Sequence, residues 1–292
     1  MTSPARRLWE LLETVHDVVY FTDECRAAAD ALGLRGFWMG YVALRAAPLG
    51  PVGPAPVTAL FHGFPPALVA RALPDAWART TPADALAARG RGAAAALRRI
   101  AGPFLDDAAT LEECVDLAGR AAAGADTAGR ALAAANQALP RPEDPVAALW
   151  QATTTLREHR GDGHVAVLVA RGVPPLAAHL LKSAAGEADA DGLRVARPWP
   201  EEDWDTAEAE LRRRGWIVDA TTLAAAGRAE HDEIEALTDA AAADPWEAIG
   251  RERTDRLATL LEPLADAVSE SGVIPRGNPT GLSRTSSRHR WH

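Results

Sequence analysis

Apolar positions fall three and four apart along most of this chain, the spacing of one helix face. Leu8, Leu11, Leu12 and Val15 follow it within Arg6–Val15, and Trp9 widens the same face, so the chain opens with a helix. Val18 to Leu32 continues helically and stops at Gly33, a natural C-terminal cap. Phe37, Tyr41 and Arg45 then succeed one another at four-residue steps until Pro48, which predicts an aromatic-rich helix ending in a guanidinium. Three helices are expected between Val57 and Arg99, over Val57–His62, Pro66–Ala72 and Pro82–Arg99, with prolines suited to first turns and with Phe61 and Trp77 in the core. Leu111–Leu139 reads as a long alanine-rich helix with a candidate break at Gly124, and PRPEDP at 140–145 is the clearest linker.

Beyond the linker a helix is expected over Pro145–Arg160. Gly161 stands where a C-terminal glycine belongs and Asp162 where the next N-cap belongs. The order after that is a helix HVAVLVARG, a turn at Pro174 and Pro175, a helix PLAAHLLKSAAG, a spacer and a third helix Glu201–Arg214. Trp216–Asp219 and Thr222–Leu223 follow as two short strands, and helices Arg228–Ala243 and Pro245–Val268 complete the chain. The fold class expected is all-α: a multi-helical N-terminal half (1–139), a winged helix-turn-helix-like half with a short β-hairpin wing (140–271), and a tail (272–292). That tail holds Gly, Pro, Ser, Thr and arginines without acids and is expected to be disordered, its RHRWH end included.

Composition narrows the function classes. At 292 residues with 48% apolar side chains there is material for a substantial core. A net charge of -9 argues against a general nucleic-acid or anionic-membrane binder. Cys25 and Cys114 form no CxxC and no disulfide framework, and MTSPARRLWELL lacks a leader's apolar stretch, so a reduced, cytoplasmic protein is expected. No apolar run long enough to span a membrane is read.

Candidate chemistry concentrates in Trp150–His164, WQATTTLREHRGDGH. Histidine titrates near neutral pH, so His159 or His164 with Glu158 or Asp162 is a candidate acid–base set, with Arg157 or Arg160 to stabilise negative charge. Arg157 and His159 also suit a negative helix end, so part of the motif is explained by punctuation. Arg45 needs a partner if buried. Glu24, or His16 beside Asp17, would make a structural ion pair, whereas a free guanidinium would clamp a ligand carboxylate or phosphate. Tyr20, Phe21, Phe37, Trp38 and Tyr41 give the same region an aromatic wall, and His62 is a further candidate. The histidine spacing matches no strong metal motif, and no phosphate loop, GxSxG elbow or dinucleotide fingerprint occurs, so neither metal nor cofactor is expected. Glu230, His231, Asp232, Glu233 and Glu235 read as a solvated helix face.

The stretch LRRRGWIVDATTLAAAG resembles the recognition helix and wing of MarR-type regulators. The chain as a whole resembles an actinobacterial family of helix-turn-helix-like proteins, on the residues GLRGFWMGYVALRAAPLGPV (33–52), VTALFHGFPPALVARALPDAW (57–77), LWQATTTLREHRGDGHVAVLVARG (149–172) and the 211–239 stretch. The resemblance implies a fold and no reaction, and by analogy a homodimer through residues 225–270. It also brings in DNA as a partner class, but the third helix begins EEDWDTAEAE, a surface that phosphates repel. The leading expectation is therefore a small-molecule-binding, winged-helix-derived protein, a ligand-responsive regulator or sequestering protein. It would hold an anionic or aromatic ligand between its halves. The alternatives are an enzyme of specialised metabolism using the same pocket, and a DNA-binding transcriptional regulator.

Overall fold

The structure is a computed structural model and describes residues 3–282. Its helices are α1 (Pro4–His16), α2 (Val18–Phe21), α3 (Asp23–Ala31), α4 (Gly36–Ala46), α5 (Pro54–Leu60), α6 (Pro66–Ala72), α7 (Pro82–Leu105), α8 (Ala108–Gly124) and α9 (Ala131–Gln137). They continue as α10 (Pro145–Ala170), α11 (Pro175–Ala184), α12 (Ala190–Ala196), α13 (Glu201–Arg213), α14 (Ala225–Ala241), α15 (Asp244–Ile249) and α16 (Arg251–Glu270). Strands β1 (Ile217–Asp219) and β2 (Thr222–Leu223) pair antiparallel between α13 and α14, with Ile217 opposite Leu223. The all-α expectation with a short hairpin wing is met.

Three apolar clusters hold the elements together. The first joins α1, α7, α8, α10 and α16 around Trp150, Leu97 and Leu261, and it draws on residues from both sides of 140–145. The apolar side of α16 is spent inside this cluster, with Leu257, Leu261 and Leu264 fully buried. A second collects Phe61, Phe64, Val42 and Leu73 under α4–α6, and Trp38 and Tyr41 pack against it. The third is the winged unit: Leu176 and Leu180 of α11, Trp204 and Leu211 of α13, and Ile217 and Leu223 of the wing. Packing of Ile217 and Leu223 against α11 and α13 is what lets so small a sheet persist.

Several boundaries differ from expectation, each for a local reason. Thr22 is extended at φ -107°, ψ 149° and separates α2 from α3, where one helix was expected. The break expected at Gly124 is present, and the 111–139 stretch is two helices, α8 and α9. Gly250, at φ +81°, separates α15 from α16. The spacer before α13 contains α12, capped by Asp189, whose carboxylate accepts from the Gly192 N–H. The tail is not free from its start: Asn278 and Leu282 are buried, and Lys182 Nζ donates to Thr280 O at 2.6 Å. Residues 283–292, with the RHRWH end, lie outside the described residues.

The largest correction is α10. The helix runs unbroken from Pro145 through Arg160, Gly161 and Asp162 to Ala170, so Gly161 is no C-terminal cap and Asp162 no N-cap. Asp162 is buried, and its carboxylate accepts the Ala133 N–H at 3.0 Å, capping α9 from outside. An added Cβ at Gly163 would displace the Arg130 guanidinium, which donates to His159 O and Ala241 O.

Candidate functional site

An unbroken α10 turns 100° per residue, so Trp150, Thr154, Arg157, Glu158, Gly161 and His164 fall on one broad side and His159 and Asp162 away from it. On that side Trp150, Thr154 and Glu158 border one cavity, and Arg157, Gly161 and His164 border a second.

Glu158 is the junction between them. Its side chain is 2% exposed, and Arg45 grips it as a fork, Nε to Oε1 at 2.8 Å and Nη2 to Oε2 at 2.9 Å. Arg157 Nη1 adds a bond at 3.1 Å and turns its Nε to Glu13 at 3.2 Å. Arg45 also donates to the Tyr41 hydroxyl at 3.2 Å and lies 4.3 Å over the Phe61 ring. Burial alone would raise the Glu158 pKa, but the charges of Arg45 and Arg157 more than reverse it and hold the carboxylate below the usual range. A carboxylate so held is no general acid or base at neutral pH. The partner of Arg45 is thus Glu158, whereas Glu24, the acid expected there, pairs at the surface with Arg99, Nη2 to Oε2 at 3.1 Å.

On either side of this junction lies a cavity, and Arg45 and Tyr41 line both. The first, about 270 Å³, is walled by His16, Tyr20, Phe37, Tyr41 and Trp150, with Arg89 and Glu158 also lining it. His16 stacks on Trp150 with centroids 5.7 Å apart. The Thr154 hydroxyl spends its proton on Trp150 O, so it accepts from His16 Nδ1 at 3.0 Å. That leaves Nε2 to accept from the Tyr20 hydroxyl at 3.0 Å. Burial, reinforced by Arg157, lowers the His16 pKa well below its ordinary value, so the ring is neutral. The Tyr41 hydroxyl accepts from Arg45, and among the described residues no acceptor engages its own proton.

Arg89 is the group that sequence reasoning missed. It is 3% exposed and donates only to neutral oxygens: Leu44 O at 3.1 Å, Asn136 Oδ1 at 2.8 Å and Gln151 Oε1 at 3.1 Å. Its Nε has no partner and no carboxylate pairs with it among the described residues. Burial lowers its pKa to about 10, and Glu158 only partly opposes this. Arg45, Arg89 and Arg157 are therefore three cations sharing two carboxylates, Glu13 and Glu158. The signal was present: Arg89 stands at helical spacing from Ala85, Ala93 and Ala96, all fully buried, and so faces inward.

The second cavity, about 380 Å³, lies between α1, α4, the Leu60–Phe64 turn, α10, α11 and α14. His164 lines it and donates Nδ1–H to Thr238 Oγ1 at 3.0 Å, because that hydroxyl gives its proton to Ile234 O. Burial lowers its pKa to about 4. Arg160 lines it too, paired with Asp239 at 2.9 Å and Glu235 at 3.3 Å. Glu235, read as part of a solvated face, is an interior ion-pair partner. Burial would raise its pKa, but Arg160, His164 and Arg6 bring it down to about 2. His62 is also here.

The acid–base set expected from the motif is not assembled. His159 faces away from both cavities, its Nε2 bonded to Asp126 O at 3.1 Å and 3.2 Å from Asp244 Oδ1, while Arg130 donates to its carbonyl at 2.7 Å. His159 and His164 are five residues apart on one helix, which turns them to different sides. Asp162, its pKa raised by burial to about 6, belongs to the α9 cap. Trp38 lines neither cavity and braces Tyr41 edge-on at 5.8 Å. Among the described residues no group of three His, Cys, Asp or Glu side chains is placed to hold a metal ion, and no single helix is long and apolar enough to cross a membrane.

A family model described as a helix-turn-helix family matches residues 5–275, nearly the whole chain. No curated protein and no solved structure matches it.

Proposed function

Since the chain belongs to this helix-turn-helix family, we propose that it is a winged-helix-derived binding protein whose first cavity takes a small aromatic anion, as a ligand-responsive regulator or a sequestering protein. One observation carries the reading: Arg89, a buried cation without a carboxylate, beside a cavity walled by Tyr20, Phe37, Tyr41 and Trp150. A buried charge costs several kcal/mol unless compensated, and a ligand carboxylate is the compensation missing here. Rings stack on rings, and the free Tyr41 proton supplies a directional donor.

Family membership makes DNA a partner class, and α13 is the element that would enter the groove. Its exposed positions begin with Glu201, Glu202, Asp203 and Asp205, and its exposed arginines, Arg212 and Arg213, come only in the last turn. That surface supports a unit retained for packing and ligand closure over one that reads bases.

The test compares benzoate and indole-3-carboxylate with their uncharged amides by titration calorimetry, after native mass spectrometry has shown whether the protein already carries a ligand. The acids are expected to bind, with a negative heat-capacity change, and the amides to bind at least ~10-fold more weakly, as loss of one charged contact requires. Equal binding of acid and amide, or acid affinity unchanged in Arg89→Gln, would overturn the proposal. A titration of duplex DNA at low salt checks the competing reading. Binding there that steepens with falling salt would favour the regulator that reads DNA directly.

A further inference from the structure

The second cavity is chemically unlike the first, and its cations divide into two kinds. Arg6 and Arg160 are matched by Glu235 and Asp239, and Arg45 and Arg157 by Glu158 and Glu13. Lys182 and Arg197 are matched by no carboxylate within ion-pair distance among the described residues. Lys182 reaches only the carbonyls of Thr280 at 2.6 Å and Pro279 at 3.4 Å, which solvate a charge without neutralising it. Of the carboxylates whose charge reaches Lys182, Glu187 is engaged by His231 at 3.3 Å, Glu235 by Arg6 and Arg160, and Glu13 by Arg157.

Arg197 is the more telling of the two. Its guanidinium lies 3.9 Å over the Phe64 ring, its Nη1 donates to the adjacent Ala196 O at 2.9 Å, and its Nε is buried with no partner. Burial lowers its pKa to about 10, and Arg45 and Arg157 push in the same direction. Lys182 is lowered too, by burial first, which the charges of Glu187, Glu235 and Glu13 only partly offset, while Arg197 adds repulsion. The fold thus holds two like charges in one cavity, neither with an ion-pair partner of its own among the described residues, although other carboxylates line the same cavity.

We propose that this cavity is a second ligand site, for a phosphate-type dianion, with Arg197 supplying a planar fork and Lys182 a point charge. Two cations without an ion-pair partner suit a doubly charged group, and a phosphate monoester carries about -1.5 to -2 at neutral pH. The guanidinium matches phosphate oxygens as a bidentate donor, and lysine is a common second contact. The walls come from both ends of the chain: Phe64 from the second apolar cluster, Arg197 and Lys182 from the winged region, and Thr280 from the C-terminal segment. The site therefore exists only when these parts are docked, so a bound dianion stabilises that docking.

The experiment is titration of the full chain with inorganic phosphate, phenyl phosphate and acetate, followed by calorimetry and by the rise in thermal midpoint that binding to the folded state produces. Phosphate and phenyl phosphate are expected to bind, acetate at least ~10-fold more weakly for want of the second charge. Arg197→Gln should weaken phosphate at least ~10-fold while Arg197→Lys recovers part of the loss, and Arg89→Gln should leave it within ~2-fold. No binding at ~10 mM phosphate, or binding that Arg197→Gln leaves unchanged, would overturn the site. Acetate matching phosphate would overturn the dianion. If Arg197→Gln does not fold, as circular dichroism would show, Lys182→Gln gives the same reading. Loss of phosphate binding in Arg89→Gln alone would place phosphate in the first cavity and sink this inference while leaving the first site standing.

Discussion

Glu158→Gln isolates the junction on which both cavities rest. The carboxylate is 2% exposed and receives two bonds from Arg45 and one from Arg157. Glutamine keeps the shape and one acceptor oxygen but removes the charge, so Arg45 is left with no acid and Arg157 with Glu13 alone. Breaking a buried ion pair from one side costs about 3–5 kcal/mol, because the surviving charge stays desolvated. The retained amide oxygen places this variant at the lower end, about 3 kcal/mol, a large share of the ~5–15 kcal/mol that holds a folded protein together. At roughly 2–4 °C per kcal/mol for chains of this size, the thermal midpoint should fall by about 6–12 °C. Urea denaturation followed by tryptophan fluorescence measures the difference directly. The pH dependence supplies a second check. The Glu158 pKa is depressed in the folded state, so its contribution is complete above the unfolded value of about 4.3 and is lost only as pH falls toward the folded one. The gap between wild type and variant should be flat from neutral pH to about pH 5 and close in stronger acid. A loss below about 1 kcal/mol, the worth of an exposed pair, would refute the argument that Glu158 is a buried, irreplaceable counterion.

Two further outcomes follow from the geometry. In Gly63→Ala the new Cβ would stand 2.6 Å from His179 Nε2 and 2.7 Å from Cε1. The ring must move off the Gly63 carbonyl, which also accepts from Trp199 Nε1 at 3.3 Å. A cost of about 1–3 kcal/mol is expected, with faster hydrogen exchange in 175–199 and unchanged exchange in α8; uniform loss of protection, or none, would count against it. Asp17 is fully buried with Oδ1 unpartnered, and burial followed by Glu13 raises its pKa well above the ordinary value. An acid raised on folding costs stability once pH exceeds its unfolded value of about 3.9, so Asp17→Asn should stabilise by at least ~1 kcal/mol at neutral pH and by nothing in acid. A destabilised variant at neutral pH in the same urea assay would show that the ionised form is needed.

What the sequence disclosed and what it hid follow one physical division. Periodicity reports burial along one element, so it found α1 and α4 and set Tyr41 and Arg45 on one buried face, while the order of elements located α11, α13 and the wing. It says nothing of which elements meet, and the arginine partners were accordingly misassigned: Glu24 went to Arg99, and Glu158 came to Arg45 from 113 residues away. The reading of Gly161 and Asp162 as punctuation shows the same limit from the other direction. Both residues have a local meaning, and a tertiary one prevailed: Asp162 caps α9, while the stretch around it stays helical because the buried face of α10 is continuous from Val146 to Leu168. Breaking the helix on paper gathered His159 and His164 into one imagined site; keeping it whole separates them and brings Glu158 to the centre. Arg89, Lys182 and Arg197 escaped notice because a single cation in an alanine-rich or loop segment looks like surface. The feature that sets them apart is a missing counterion, and a missing partner is visible only once every neighbour is in place.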